Sequence, residues 1–143
     1  MNTFDHTFAN GATARVDVLS DAIVRLRVSP NATFTDTGLN RYGFIHDDLA
    51  EASQATADSN DNALIVKTAG MTMVINADGQ SATVKTPCGK DILRQTGFSV
   101  TNDVAKIDFA ADPTEDWLGF GDQTRERLYH RGHFADCQVR NQT

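Results

Sequence analysis

The 143 residues suit a single domain and are enough chain to remove roughly two-thirds of the unfolded surface from water. The formal net charge is −6 and the isoelectric point is near 5.0. A basic footprint is missing, which argues against nucleic acid as a partner, and the acidic balance mainly favours solubility. Met1-Asn2-Thr3-Phe4-Asp5-His6 lacks the charged and apolar regions of a signal peptide, and no apolar run approaches membrane-spanning length. A cytoplasmic location without a membrane partner is therefore expected, with Cys88 and Cys137 as free thiols.

The first periodic stretch is Ala12 to Leu19, with Ala14, Val16 and Val18 on one face and Arg15 and Asp17 on the other. Ala22 to Val28 repeats it, placing Val24, Leu26 and Val28 inward and Arg25 and Arg27 outward. Period two means half-buried strands, and Ser20-Asp21 is a polar connection fit for a hairpin. Pro30-Asn31 then marks a turn, and Thr33 to Asn40 is polar apart from Phe34 and Leu39. Arg41 to Ile45 reads as a short strand or as loop residues anchored on the core. His46 to Asn62 reads mostly as solvated loop, with room for a helical turn around Leu49. Its acidic residues Asp47, Asp48, Glu51, Asp58 and Asp61 lack the ligand spacing of an EF-hand.

Strand character returns at Ala63 to Thr68 and Met71 to Ile75. Asn76-Ala77-Asp78-Gly79 is a hairpin signal, with Gly79 suited to a positive φ. Ser81 to Thr86 alternates again, and Pro87-Cys88-Gly89-Lys90 predicts another turn before Asp91-Ile92-Leu93. Phe98 to Thr101 and Val104 to Phe109 follow, separated by Asn102-Asp103, and Asp112-Pro113-Thr114 punctuates the chain. No segment sustains a 3.6-residue apolar period. Many short strands with frequent turns predict an antiparallel β-sandwich with little helix.

The C-terminal stretch differs from all of this. Leu118-Gly119-Phe120-Gly121-Asp122 places two glycines about an aromatic, followed by Arg131-Gly132 and Val139-Arg140-Asn141-Gln142. Glycines here let a segment or ligand approach the backbone closely, which suits a strand end opening into a loop. In order and spacing these residues resemble the aromatic-Gly-Leu-Gly-Glu signature, basic-Gly pair and Trp-Asn-Thr-Asp segment of the N-terminal domain of glycoside hydrolase family 31. Asp122 stands where that family often has Glu, and Gln142 where it often has Asp.

The resemblance implies an all-β, antiparallel, galactose mutarotase-like sandwich of the supersandwich type, spanning residues 1–143 and truncated before its last strands. It also implies that the family's catalytic aspartates lie on a (β/α)₈ barrel, which needs about 250 residues and is absent from this chain. The domain would pack on that barrel and lend a loop to an α-glycoside pocket. Asn141 and Gln142 would approach the sugar, an amide at 142 hydrogen-bonding without charge. Gly119, Phe120, Gly121, Asp122, Arg131 and Gly132 would be its structural motif. A fragment of such a sandwich leaves edges uncovered, so self-association is expected.

The residues by themselves offer other chemistry. Retaining glycoside hydrolysis needs two carboxylates about 5 Å apart, and Asp112 with Glu115 or Asp116, or Asp122 with Glu126, are the close pairs. All sit in polar segments where turn caps explain them as well. His130, His133, Asp136 and Cys137 have metal-ligand chemistry, but they come from one segment rather than two, so no metal or cofactor is expected. A free-standing carbohydrate-binding sandwich, stacking sugars on Trp117, Tyr129 or Phe134, is the alternative function. A mutarotase-like enzyme is a third, although His6 and His46 lie far along the chain from the other histidines. If Gly121 holds a conformation that side chains resist, Gly121→Val lowers the melting temperature; an unchanged melting temperature removes any special backbone role from Gly121.

Overall fold

The computed structural model describes residues 2–36, 38–44, 54–60, 63–101 and 104–116. The chain divides into two compact units, Met1–Ala110 and Ala111–Thr143. Among its described residues the first unit is all-β apart from one helical turn, α1 (Gly38–Arg41). No helix among the described residues is long and apolar enough to cross a membrane.

Its strands form two antiparallel meanders. β1 (Asn2–Thr7), β2 (Thr13–Ser20) and β3 (Ile23–Ser29) make a three-stranded sheet in that order. β4 (Thr56–Asn60), β5 (Ala63–Lys67), β6 (Thr72–Asn76), β7 (Ala82–Lys85), β8 (Asp91–Thr101) and β9 (Val104–Phe109) make a six-stranded sheet, also in chain order. The alternating stretches around 12–28 and 63–86 fold as the patterning predicts. Gly79 and Gly89 close their hairpins with φ of +66° and +88°. Asp78 secures the first of these turns by accepting from the Gln80 and Ser81 amides, at 2.8 and 2.9 Å.

Four expectations change. β1 is a strand that the apolar pattern does not announce: apart from Phe4 its residues are polar, and it is held by pairing with β2 from Asn2↔Val18 to Thr7↔Thr13. Thr56–Asn60, expected as solvated loop, is edge strand β4, paired with β5 from Thr56↔Lys67 to Asn60↔Ala63. All five of its residues are exposed, so the partner strand and not its own apolarity makes it a strand. β8 runs unbroken where two short pieces were expected, because the register shift between Gln95 and Gly97 absorbs an extra residue. The stretch from Arg41, expected as a short strand or as loop residues anchored on the core, instead ends α1, with the Tyr42 amide donating to the Gly38 carbonyl at 2.9 Å and with Tyr42 and Phe44 exposed. Leu49 and most of the 46–62 acidic cluster lie outside the described residues.

The two sheets stack around one core. Ala14, Val16 and Val18 of β2 meet Leu64 and Val66 of β5, Met73 and Ile75 of β6, and Ala82 of β7, with Phe8 closing one end. Full burial of a side chain such as Val16, Leu64 or Ile75 contributes about 1.5–3 kcal/mol. Leu19 is buried too, because the register shifts between Val18 and Ser20.

Loop contacts tie the sheets at both ends. At one, Phe8 packs against the β6–β7 turn so closely that a Cβ on Gly79 would lie 2.9 Å from its ring. The Asn10 amide there donates to the Asp78 carbonyl at 3.1 Å. At the other end the Thr68 hydroxyl donates to the Asp21 carbonyl at 2.6 Å, joining the β5–β6 and β2–β3 turns. Gly70 makes that approach feasible: a Cβ on it would stand 2.4 Å from the Asp21 carbonyl oxygen, a backbone atom that cannot rotate aside. Gly70→Ala is therefore expected to cost about 2 kcal/mol, read as a lower denaturation midpoint; wild-type stability in that variant would show that the two turns need no close contact.

Candidate functional site

Every residue assigned to the family motif lies outside the described residues: Gly119, Phe120, Gly121, Asp122, Arg131, Gly132, Asn141 and Gln142. The same holds for Trp117, for Asp122 with Glu126, and for His130, His133, Asp136 and Cys137. Among the described residues, the charged and polar side chains that engage one another lie on the outer face of the three-stranded sheet and at a few turns.

The outer-face network follows directly from the hairpin. The β2–β3 register sets Asp17 opposite Arg25 and Arg15 opposite Arg27, while β1 sets Thr3 opposite Asp17 and Asp5 opposite Arg15. Acidic and basic side chains of three strands thus share one face. Arg15 grips Asp5 with two bonds, Nε to Oδ1 at 2.8 Å and Nη2 to Oδ2 at 2.6 Å, a geometry suited to the guanidinium fork. Asp17 receives Arg25 Nε at 3.0 Å, Arg27 Nη2 at 2.7 Å and the Thr3 hydroxyl at 3.0 Å.

Two like charges face each other here, Arg15 and Arg27. Each is balanced by a carboxylate, and both guanidiniums approach the ring of Phe34, at 4.4 and 5.4 Å from its centroid. A knot after β3 brings Phe34 back over the sheet. The Ser29 hydroxyl donates to Asn31 Oδ1 at 2.8 Å and accepts the Thr33 amide at 3.1 Å, while Ala32 takes a φ of +57°.

The face carrying Arg15 and Asp17 is thus covered, and Asp17 is only 1% exposed. Burial pushes its carboxyl up; the hydrogen bonds from Arg25, Arg27 and Thr3 outweigh this and hold it below the ordinary range. The Arg15 bond likewise holds Asp5 low. Asp17 spends its lone pairs on fixed donors and has no open side, so it is arranged to lock the sheet rather than to move a proton. Arg27 Nε is buried beside it without a hydrogen-bond partner, a polar cost that the Asp17 and Phe34 contacts offset.

The carboxylates near the end of the described chain also cap a turn. Asp112 Oδ1 accepts the Thr114 amide at 2.8 Å and its hydroxyl at 2.5 Å, and Glu115 Oε2 accepts the Asp112 amide at 3.0 Å. This reciprocal arrangement is the turn-capping reading of Asp112 and Glu115. Cys88 is an exposed free thiol at the β7–β8 turn. The Thr86 hydroxyl, 3.0 Å from Sγ, and the Lys90 amide draw its pKa down.

The Asp17 cluster was visible in the sequence only as outward-facing charge. The signal that finds it is arithmetic: a turn centred near Asp21 pairs positions summing to about 42, which puts Asp17 beside Arg25. Because the folded pKa of Asp17 is depressed, its contribution is complete above the ordinary carboxylate value of about 4 and is lost as pH falls through the folded value. Asp17→Asn strands two guanidiniums that retain some solvent, so it is expected to cost roughly 2–3 kcal/mol at neutral pH and to flatten the acid limb of the stability curve. Denaturant titrations at pH 7 and pH 3 check this; parallel curves for wild type and variant would remove Asp17 from the account.

No family model matches the chain, and neither a curated protein nor a solved structure matches it.

Proposed function

We propose that this chain is the non-catalytic, galactose mutarotase-like N-terminal domain of a retaining α-glycosidase of the family 31 type. On this reading it packs against a catalytic barrel carried by another segment of the protein. Arg140, Asn141 and Gln142 lend a loop to the α-glycoside pocket, and the catalytic carboxylates lie outside these 143 residues.

The observation that carries the reading is the order Leu118-Gly119-Phe120-Gly121-Asp122, Arg131-Gly132, Arg140-Asn141-Gln142 behind a run of antiparallel strands. A second observation supports its non-catalytic part. Asp5, Asp17, Asp78, Asp91, Asp108 and Asp112 are each held by an arginine, a lysine or turn donors. Carboxylates so engaged are structural. Gln142 would contact sugar hydroxyls through a neutral amide, weaker than the charged contact of an aspartate.

The test is the intact mass of the gene product isolated from its own cells, followed by hydrolysis of 4-nitrophenyl α-glucoside and α-xyloside. A product longer by roughly 250 residues or more that cleaves either substrate is expected, with the 143-residue chain alone inactive. A native product of this length overturns the reading. Sugar binding by that shorter product, abolished by Trp117→Ala, would establish the free-standing carbohydrate-binding sandwich instead.

A further inference from the structure

The core-side face of the six-stranded sheet is wider than the core. Cross-strand pairing carries that face outward from buried Ala82 to Gln95 and on to Phe109, and from Val84 to Leu93. Phe98 and Ile107 sit opposite each other on the same face. In the middle strands its residues are buried, Leu64 at 2% and Ile75 at 1%, but in the outer strands Leu93 is 44%, Ile107 50% and Phe109 41% exposed. A strip of apolar surface therefore continues the core into solvent along β8 and β9.

β9 also ends the sheet among the described residues, so its outer backbone edge has no neighbour there. Lysine on an edge strand normally guards it against further pairing. In β9 the guard is cancelled by sequence symmetry. An antiparallel β9–β9 pair with its two-fold axis at Ile107 sets Lys106 opposite Asp108 of the second copy, twice, and Ala105 opposite Phe109. Lys106 and Asp108 already lie on one face, with Nζ 2.9 Å from Oδ2 in the same strand, so the axis turns an intrastrand pair into a four-charge cross-strand cluster. Ile107 meets Ile107 of the second copy on the apolar face. The opposite edge behaves differently: in β4 a two-fold axis at its middle residue sets Asp58 against Asp58, and every residue there is exposed.

From the self-complementary charges and the continuous apolar strip we infer that β9 is the docking edge for a second copy of this chain. The two six-stranded sheets join antiparallel across Ile107, and the strip on each copy is extended past its own boundary. This inference does not rest on the glycosidase reading.

The experiment is sedimentation velocity on the whole chain from micromolar to near-millimolar concentration, with three variants. Lys106 and Asp108 are half or more exposed, so their substitution leaves the fold intact, which circular dichroism verifies. Wild type is expected to dimerise with concentration. Lys106→Asp or Asp108→Lys alone places like charges opposite each other twice and raises the dissociation constant roughly tenfold. The double exchange, Lys106→Asp with Asp108→Lys, restores opposite charges and wild-type affinity. A chain that stays monomeric throughout, because some other segment covers the strip, overturns the inference. So does a dimer that ignores the single reversals or is not restored by the double exchange.

Discussion

β2 is the strand on which the first unit turns, because it is buried on both faces for opposite reasons. Inward, Ala14, Val16 and Val18 are wholly enclosed and draw the six-stranded sheet onto the three-stranded one. Outward, Asp17 is enclosed just as fully, under two arginines and a threonine. An isolated carboxylate there would carry a severe desolvation cost. The neighbouring strands are consequently constrained: slipping β3 by one residue would move Arg25 off Asp17 and turn Leu26 out of the core. Apolar packing and charge pairing thus select the same register, which is the consistency expected of a sequence that specifies one fold.

The strands readable from sequence were those whose apolar residues mark a core-facing side. β2, β3, β5, β6 and β7 alternate, and the hairpin turns at Asp78-Gly79 and Cys88-Gly89 carry the residues that positive φ demands. β4 was not readable because Thr-Ala-Asp-Ser-Asn has no apolar face to show. β8 was read in pieces because Arg94, Gln95, Thr96 and Gly97 interrupt its alternation where the bulge lies. Covering the outer face of β2 depends on Phe34, which returns through a side-chain-bonded knot that no periodicity encodes. The motif residues that suggested a function lie in the other unit, beyond the described residues.

The described chemistry divides cleanly by neighbourhood. Where carboxylates meet arginine or lysine they stabilise strand pairing, and where they meet backbone amides they close turns. The outer strands of the larger sheet are different, because their apolar side chains are ordered by pairing yet remain half in water.

The strictly sequential strand order has a further consequence, for the route by which the chain reaches this state. Each strand within a sheet pairs with its neighbour in the chain, so every ladder can zip from a local hairpin at small loop-closure entropy. The sequence-distant step is the meeting of the sheets, where Val16 and Val18 find Leu64 and Ile75. Relative contact order is therefore modest for an all-β protein, which favours rapid folding. The tight seat of Gly70 against Asp21 joins the two meanders and can be made only once they have met.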